Sequence, residues 1–376
     1  MRFLLFVLFL LTSISGNSET IKIGLFHHLN VNAASLTINS GSYEVYSNDA
    51  LVGTLKTGEK STISHHAGAV LMNSVSLSIT STSKLEFIAL ENNCEISISP
   101  KGHVLSRKIT GHLNFWNRGT KMSIINTQDL DVYIAGVVEA EAGSKQNAEY
   151  YKVQAVICRT YALANKFKHA KNGFHLCDEV HCQVYKGISK SNPAIISSTI
   201  ATSDVVVVDQ DVNLITTAFH SNCGGHTINS EDVWSQAVPY LKAVPDTFCV
   251  NMPHTDWERE VKRAHWMGFF RENGVSNILD TLSSFSNTDR TVYFADNIHL
   301  KDVRSEFDLR STLFTAQEKG ESILIQGKGF GHGVGLCQEG AMKMSTLGFD
   351  YMSILHYYFS EIHVVPLSNF HLFREN

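Results

Sequence analysis

The chain has 376 residues, 43% hydrophobic and 18% charged, with a formal net charge of −5 at pH 7. That length holds one large domain or two ordinary ones, and the balance is that of a globular protein rather than a disordered one. The acidic sum argues against a broad electrostatic grip on nucleic acid, while local patches leave acidic or sugar-like ligands open.

Met1-Arg2 gives a short basic start, Phe3 to Leu11 an apolar run, and Ser13, Ser15 and Gly16 small residues after it. This reads as a secretory signal over residues 1–16, too short to span a bilayer. No later stretch is apolar enough for a membrane helix, so the expected mature protein is exported, to a periplasm or cell envelope. Seven cysteines in an exported chain invite disulfides, and the odd number leaves at least one outside such a pair. Cys94 and Cys158 sit in apolar surroundings and read as buried hydrophobes.

From Ile21 to about Ile125 short β-branched runs alternate with polar breaks. IKIGLF, ASLTINS, SYEVYS, SVSLSIT, CEISIS, HLNFWN and KMSIIN have strand length and composition. Gly41, Asn48-Asp49, Gly53 and Asn92-Asn93 supply turns. The expectation is a β-rich N-terminal region over residues 17–128.

The character changes at Asp131, where DVYIAGVV suits a strand or a short helix. Asn147 is an N-cap with Glu149 in the first turn, and Val153, Val156, Ile157, Ala164 and Phe167 recur at helical spacing as a core stripe. Arg159 and Tyr161 lie off that stripe, facing either a groove or solvent. Residues 195–208 are strand-like, LITTAFHSNCGGHT is a strand entering a glycine-broken loop, and an amphipathic helix is expected from Trp257 to Glu272. Ile323 to Gln326 reads as a strand feeding GKGFGHGVG. The helix LCQEGAMKMSTLG then stops at Gly348, and a helix YMSILHYYF and a strand IHVVPL follow. The expected class is α+β, with a second unit over residues 129–366 and a tail over 367–376.

Three clusters and one acid carry chemistry. Cys177, His181 and Cys182 fall within six residues, with His169 and His175 upstream. Thiolate and imidazole are the donors zinc prefers, and four would close a structural site. A Cys177–Cys182 disulfide, or unrelated loop residues, remain alternatives. The glycines from Gly327 to Gly335 let backbone approach a ligand closely, with His332 exposed at the centre and Gln338 one turn into the next helix. In HSNCGGHT, His220, Ser221, Cys223 and His226 lie together, and Cys223 is read as pairing with Cys249 in an oxidising compartment. Finally, Glu139 and Glu141 would share one face of an extended segment, roughly 6.5–7 Å apart. Like charge and apolar neighbours would then raise a carboxyl pKa, as an acid that protonates a glycosidic oxygen requires.

These stretches together resemble the SpoIID/LytB family of bacterial cell-wall proteins. YIAGVVEAEAG is similar to its Y-L-x-G-V-V-x-x-E-M pattern and KVQAVICRTYAL to its K-A-Q-A-V-A-A-R-T-Y-A-L helix. CDEVHCQVYKG, TINSEDVW and GKGFGHGVGLCQEGAM match in turn, covering about Asp129 to Val365. The chain departs from the pattern after Glu141, with Ala-Gly-Ser in place of Met-Pro, and at Cys337, where Ser is common.

The resemblance implies a SpoIID-like catalytic domain and a lytic transglycosylase that cleaves peptidoglycan glycan strands between MurNAc and GlcNAc, in the sporulation member on peptide-stripped glycan. It implies Glu141 as the sole acid/base, Glu139 falling on a variable position. It implies zinc, as a structural ion, held by His169, Cys177, His181 and Cys182 with His175 in reserve. Its motifs place Arg159, Tyr161, Gln183, Tyr185, Ser221, His332 and Gln338 at the substrate. One carboxyl suffices, because the C6 hydroxyl of the muramic acid acts as internal nucleophile and leaves a 1,6-anhydro end, whereas a hydrolase needs a second carboxylate. Some relatives are named as amidase modifiers, so a non-catalytic wall-binding partner of a cell-wall amidase is the alternative.

Overall fold

Alternation of apolar and polar residues decides the first third of the chain. In Ser42–Ser47, Lys84–Ala89 and His112–Asn117 every second side chain is buried: Tyr43 and Val45, Leu85 and Phe87, Leu113 and Phe115. The computed structural model describes residues 19–189, 192–234, 236–275, 285–287, 292–295 and 298–369. The signal over residues 1–16 and the end of the tail lie outside the described residues.

Two sheets share this core. One runs Leu176–Cys177, Thr20–Leu25, Met122–Asp129, His112–Asn117, Lys84–Ala89, Ser42–Ser47, Ala50–Lys56. The other runs Arg107–Thr110, Glu95–Pro100, Ala33–Ser40, Lys60–His66, Ala69–Ser74, Ser78–Thr82. Asn48 and Asp49, both at positive φ, make the two-residue hairpin expected of them. Gly53 sits instead inside a strand, next to a register shift opposite Val45. SVSLSIT is not one strand, because Ser74 ends one strand and bonds Leu77 in the turn before the next.

The chain leaves Met122–Asp129 directly into α1 (Leu130–Ala142), where the Asp129 side chain accepts from the Val132 N–H at 3.0 Å. The ambiguous run is therefore a helix. It is apolar nearly all round and buried nearly all round, among α2 (Ala148–Ala164), α3 (Pro193–Ala201) and the sheet. Residues two apart on a helix point roughly 200° apart, so Glu139 and Glu141 do not share a face, and the paired-carboxylate expectation is withdrawn. Gly136 is required here, because a Cβ would lie 2.3 Å from the Gly187 carbonyl oxygen and 2.6 Å from the Tyr185 ring.

Asn147 caps α2 as expected, its side chain accepting from the Glu149 N–H at 2.9 Å. The stripe is shorter than its periodicity suggests: Val153, Val156 and Ile157 are buried, Ala164 ends the helix exposed, and Phe167 beyond it is 80% exposed. Residues 195–208 are a correction. Asn192 caps and Pro193 starts α3, and only Val205–Val208 is strand. Similarly Trp257 lies in the strand Asp256–Lys262, and only then does α5 (Arg263–Glu272) follow α4 (Glu231–Trp234).

A second core forms around Trp266, Phe270, Phe307 and Phe314. It lies between α5, α6 (Leu300–Glu306) and the sheet of Asp256–Lys262, Ser322–Lys328, Phe314–Lys319 and Phe285–Ser286. From Ser322–Lys328 the chain passes through the glycine loop to the two-residue strand Leu336–Cys337, which pairs in parallel with Phe219–His220. It continues into α7 (Gln338–Thr346) and α8 (Tyr351–Tyr358). The fold is α+β. No helix among the described residues is long and apolar enough to cross a membrane.

Candidate functional site

Glu141 stands in the last turn of α1. One carboxylate oxygen, Oε1, accepts from the backbone N–H of Val184 at 2.9 Å. Burial raises its pKa above the ordinary glutamate value, and the Val184 bond and the Lys186 charge oppose that rise without cancelling it. The carbonyl of the same residue accepts from Gln338 Nε2 at 3.3 Å. The acid is thus gripped from two sides, by the segment after Cys182 and by the first residue of α7.

The four expected metal donors converge. Cys182 Sγ lies 3.4 Å from His169 Nε2 and 3.7 Å from His181 Nδ1, and Cys177 Sγ lies 3.8 Å from His181 Nδ1. All four ligand atoms fall within 4.8 Å of one another. A tetrahedral centre with bonds of ~2.0–2.3 Å separates its donors by ~3.3–3.8 Å, so the set fits a metal ion. The Cys182 thiol, with the Glu179 backbone and His181, favours the thiolate at Cys177, while the same bond raises the Cys182 thiol; a bound cation would favour the thiolate at both. His175 is not part of the set. Its Nδ1 accepts from the Lys22 N–H at 3.2 Å, and burial and Lys166 lower its pKa to about 4. His169 stacks on Phe174, ring centroids 4.8 Å apart, which fixes its plane.

The comparisons with known proteins cover the segment in which this geometry lies. The family model for SpoIID, stage II sporulation protein, matches residues 118–208, the span that carries Glu141 and all four donors. A Brachyspira hyodysenteriae protein described as uncharacterized is 32% identical over 275 residues, 68% of this chain and 72% of that protein. Stage II sporulation protein D of Bacillus amyloliquefaciens is 28% identical, over 64% of this chain and 75% of its own length. The chain belongs to the SpoIID family. The amidase enhancer of Bacillus subtilis is a more distant relative, 24% identical over 60% of this chain and 39% of its own length.

Within this SpoIID-family chain the residues expected at substrate divide. Arg159 is 1% exposed; its guanidinium bonds Asp131 Oδ1 at 2.7 and 3.2 Å and the carbonyls of Thr199 and Val205 at 3.2 Å each. It ties α1, α2, α3 and the strand Val205–Val208 together and does not face a groove. Tyr185 is fully buried, its hydroxyl accepting from Gln128 Nε2 at 2.8 Å. Gln183 is buried between the Cys158 carbonyl and the Tyr133 hydroxyl. Gln183 and Tyr185 position the backbone on either side of Val184, and all three buried side chains are withdrawn as substrate contacts. Tyr161 is half-buried beside the metal donors, its hydroxyl accepting from Lys168 Nζ at 3.2 Å.

Gln338 does come to the acid's side, and Ser221 is bonded to the residue after it. Each follows one of the two parallel strands, and the Glu339 N–H donates to the Ser221 carbonyl at 3.0 Å. His332 is half-buried rather than well exposed, its ring against His220 and Trp234. Burial and Arg304 lower its pKa to about 4, so it is neutral near pH 7. Cys223 and Cys249 are brought together with sulfurs 3.4 Å apart, yet as thiols, with Cys337 and Asp246 beside them.

Two features escaped the sequence. Buried Asp178 accepts from the Phe26 N–H at 3.0 Å and pairs with Arg107 at 3.4 Å, anchoring the metal segment to the first strand. Its place directly after Cys177, inside CDEVHC, was the available signal. Buried Glu339 bonds Asn222 Nδ2 and His254 Nδ1 at 2.7 Å each, and nothing local announces that network.

Proposed function

We propose that this chain is an exported lytic transglycosylase that cleaves the MurNAc–GlcNAc bond of peptidoglycan glycan strands, with Glu141 as its sole acid/base. The observation that carries the reading is the half-buried Glu141 carboxyl, held at Oε1 by the Val184 N–H at 2.9 Å. Burial, the Val184 N–H and Lys186 set its protonation, with no carboxylate among them. A group kept protonated above its ordinary range can donate to the glycosidic oxygen.

The reaction then needs nothing further from the chain in covalent terms. Glu141 gives its proton to the leaving oxygen as the C1–O bond breaks. The C6 hydroxyl of the same sugar attacks C1, and its proton passes to the carboxylate, which regenerates the acid and leaves a 1,6-anhydro end. The attack is intramolecular and gains from proximity. Gln338 and the Val184 N–H orient the acid. Zinc bound at His169, Cys177, His181 and Cys182 would be a structural ion, since four protein ligands leave no position for water. These residues hold the segment that presents Val184.

The membership in the SpoIID family and the sporulation proteins among the relatives support a cell-wall role. Incubating the mature protein with peptide-free glycan strands and seeking anhydro-muramic ends by mass spectrometry tests the reading. Product from wild type and none from Glu141→Gln is expected; no product from either overturns it. The amidase-enhancer relative favours a second reading, a non-catalytic wall-binding protein that stimulates an amidase. Stimulation that persists in Glu141→Gln would select that one.

A further inference from the structure

The geometry points to a second metal site, formed by Cys223, Cys249, Cys337 and Asp246, which takes a zinc-like divalent cation and is separate from the His169–Cys182 centre. The four ligand atoms lie within 4.8 Å of one another and all four residues are buried, none more than 2% exposed. Cys223 Sγ is 3.4 Å from Cys249 Sγ and 3.3 Å from Asp246 Oδ2, and the Cys223 N–H donates to Cys337 Sγ at 3.3 Å.

The donors come from three distant segments. Cys223 follows the strand Phe219–His220, Asp246 and Cys249 bracket a single 3-10 turn, and Cys337 ends the partner strand at the cap of α7. A disulfide would use only two of the thiols, and the hydrogen bonds to Asp246 stabilise its carboxylate without neutralising its charge in this dry interior. A divalent cation uses all four, and thiolate sulfur with one carboxylate oxygen is a donor set zinc accepts. The surroundings are already arranged for negative ligands. The N–H groups of Phe248 and Cys249 donate to Asp246 Oδ1 at 3.0 and 3.2 Å, and the Tyr358 hydroxyl donates to Oδ2 at 2.9 Å. Gly340 on α7 makes room for that carboxylate: a Cβ there would stand 2.3 Å from Asp246 Oδ2.

The position gives the site a purpose. Cys337 immediately precedes Gln338, which holds the Glu141 carbonyl, as Cys182 stands two residues before Val184, which holds the carboxylate. Each wall of the acid is then tied down by its own ion.

The test is elemental analysis of the mature chain isolated from the exported pool. About two zinc ions per chain are expected, falling to about one in Cys249→Ser and to about one in Cys182→Ala. Wild-type X-ray absorption, which needs no variant to fold, should average about 2.5 sulfur ligands per zinc, against about 2 if only the His169–Cys182 centre is filled. A Cys223–Cys249 disulfide in a non-reducing peptide map overturns the proposal. So does about one zinc in wild type that Cys182→Ala removes. None of these readouts depends on glycan cleavage, so the site stands or falls apart from the transglycosylase reading.

Discussion

The backbone N–H of Val184 holds Glu141 Oε1 at 2.9 Å, and Val184 is fixed two residues after the metal-type donor Cys182. The acid and the clamp are neighbours in one short segment, so their contributions separate by experiment. Cys182→Ala should cost several kcal/mol of stability, and a chelator should lower the melting temperature of wild type towards that of the variant. His175→Ala, outside the donor set, should change stability by less than about 1 kcal/mol. Thermal unfolding with and without chelator checks both.

Glu141→Gln should leave the fold intact and lower glycan cleavage by about 10²-fold or more, the scale of a lost general acid. Circular dichroism together with product mass spectrometry reads the two halves of that outcome.

Burial raises the folded pKa of Glu141, so the native state binds its proton more tightly than the unfolded chain does. The stability this group contributes is full below its unfolded pKa and is lost as pH rises through the raised folded pKa. Two results are expected. Cleavage should fall with rising pH on a limb lying above the ordinary glutamate range. Glu141→Gln should be at least as stable as wild type at neutral pH, with its advantage shrinking as the pH is lowered. Rate profiles and melting temperatures across pH 4–8 check the sign, and a wild type more stable than the variant at pH 7 would contradict it.

Arg159→Ala should behave as a folding mutation. It removes the partner of the partly exposed Asp131 and leaves the Thr199 and Val205 carbonyls without their donor, at a cost of about 2 kcal/mol or more. A urea unfolding midpoint well below wild type is expected; a normal midpoint with raised KM would return Arg159 to the substrate.

The strands of the first third were legible because a half-buried sheet writes itself as strict alternation, as SYEVYS does at Tyr43 and Val45. The Cys/His donors were legible because three of the four lie within six residues. α1 was not, since a helix with no exposed side and buried over most of its surface has too narrow a polar face to mark its period. Its misreading carried the Glu139–Glu141 pair with it. α3 was hidden by β-branched residues whose strand preference yields to the Asn192 cap and Pro193. The Cys223–Cys249–Cys337–Asp246 cluster depends on contacts across 114 residues, where the parallel pairing of Phe219–His220 with Leu336–Cys337 brings two of its segments together.

The two bonds that hold Glu141 span 43 and 197 residues of chain. Contacts so distant in sequence form late, after the loop-closure entropy between them has been met. An unfolded or half-made chain carries its acid in an ordinary aqueous setting, with an ordinary pKa and no oriented carboxyl. On the proposed mechanism a safeguard is therefore built into the order of assembly: the acid is oriented for cleavage only once the helix that begins at Gln338 has docked.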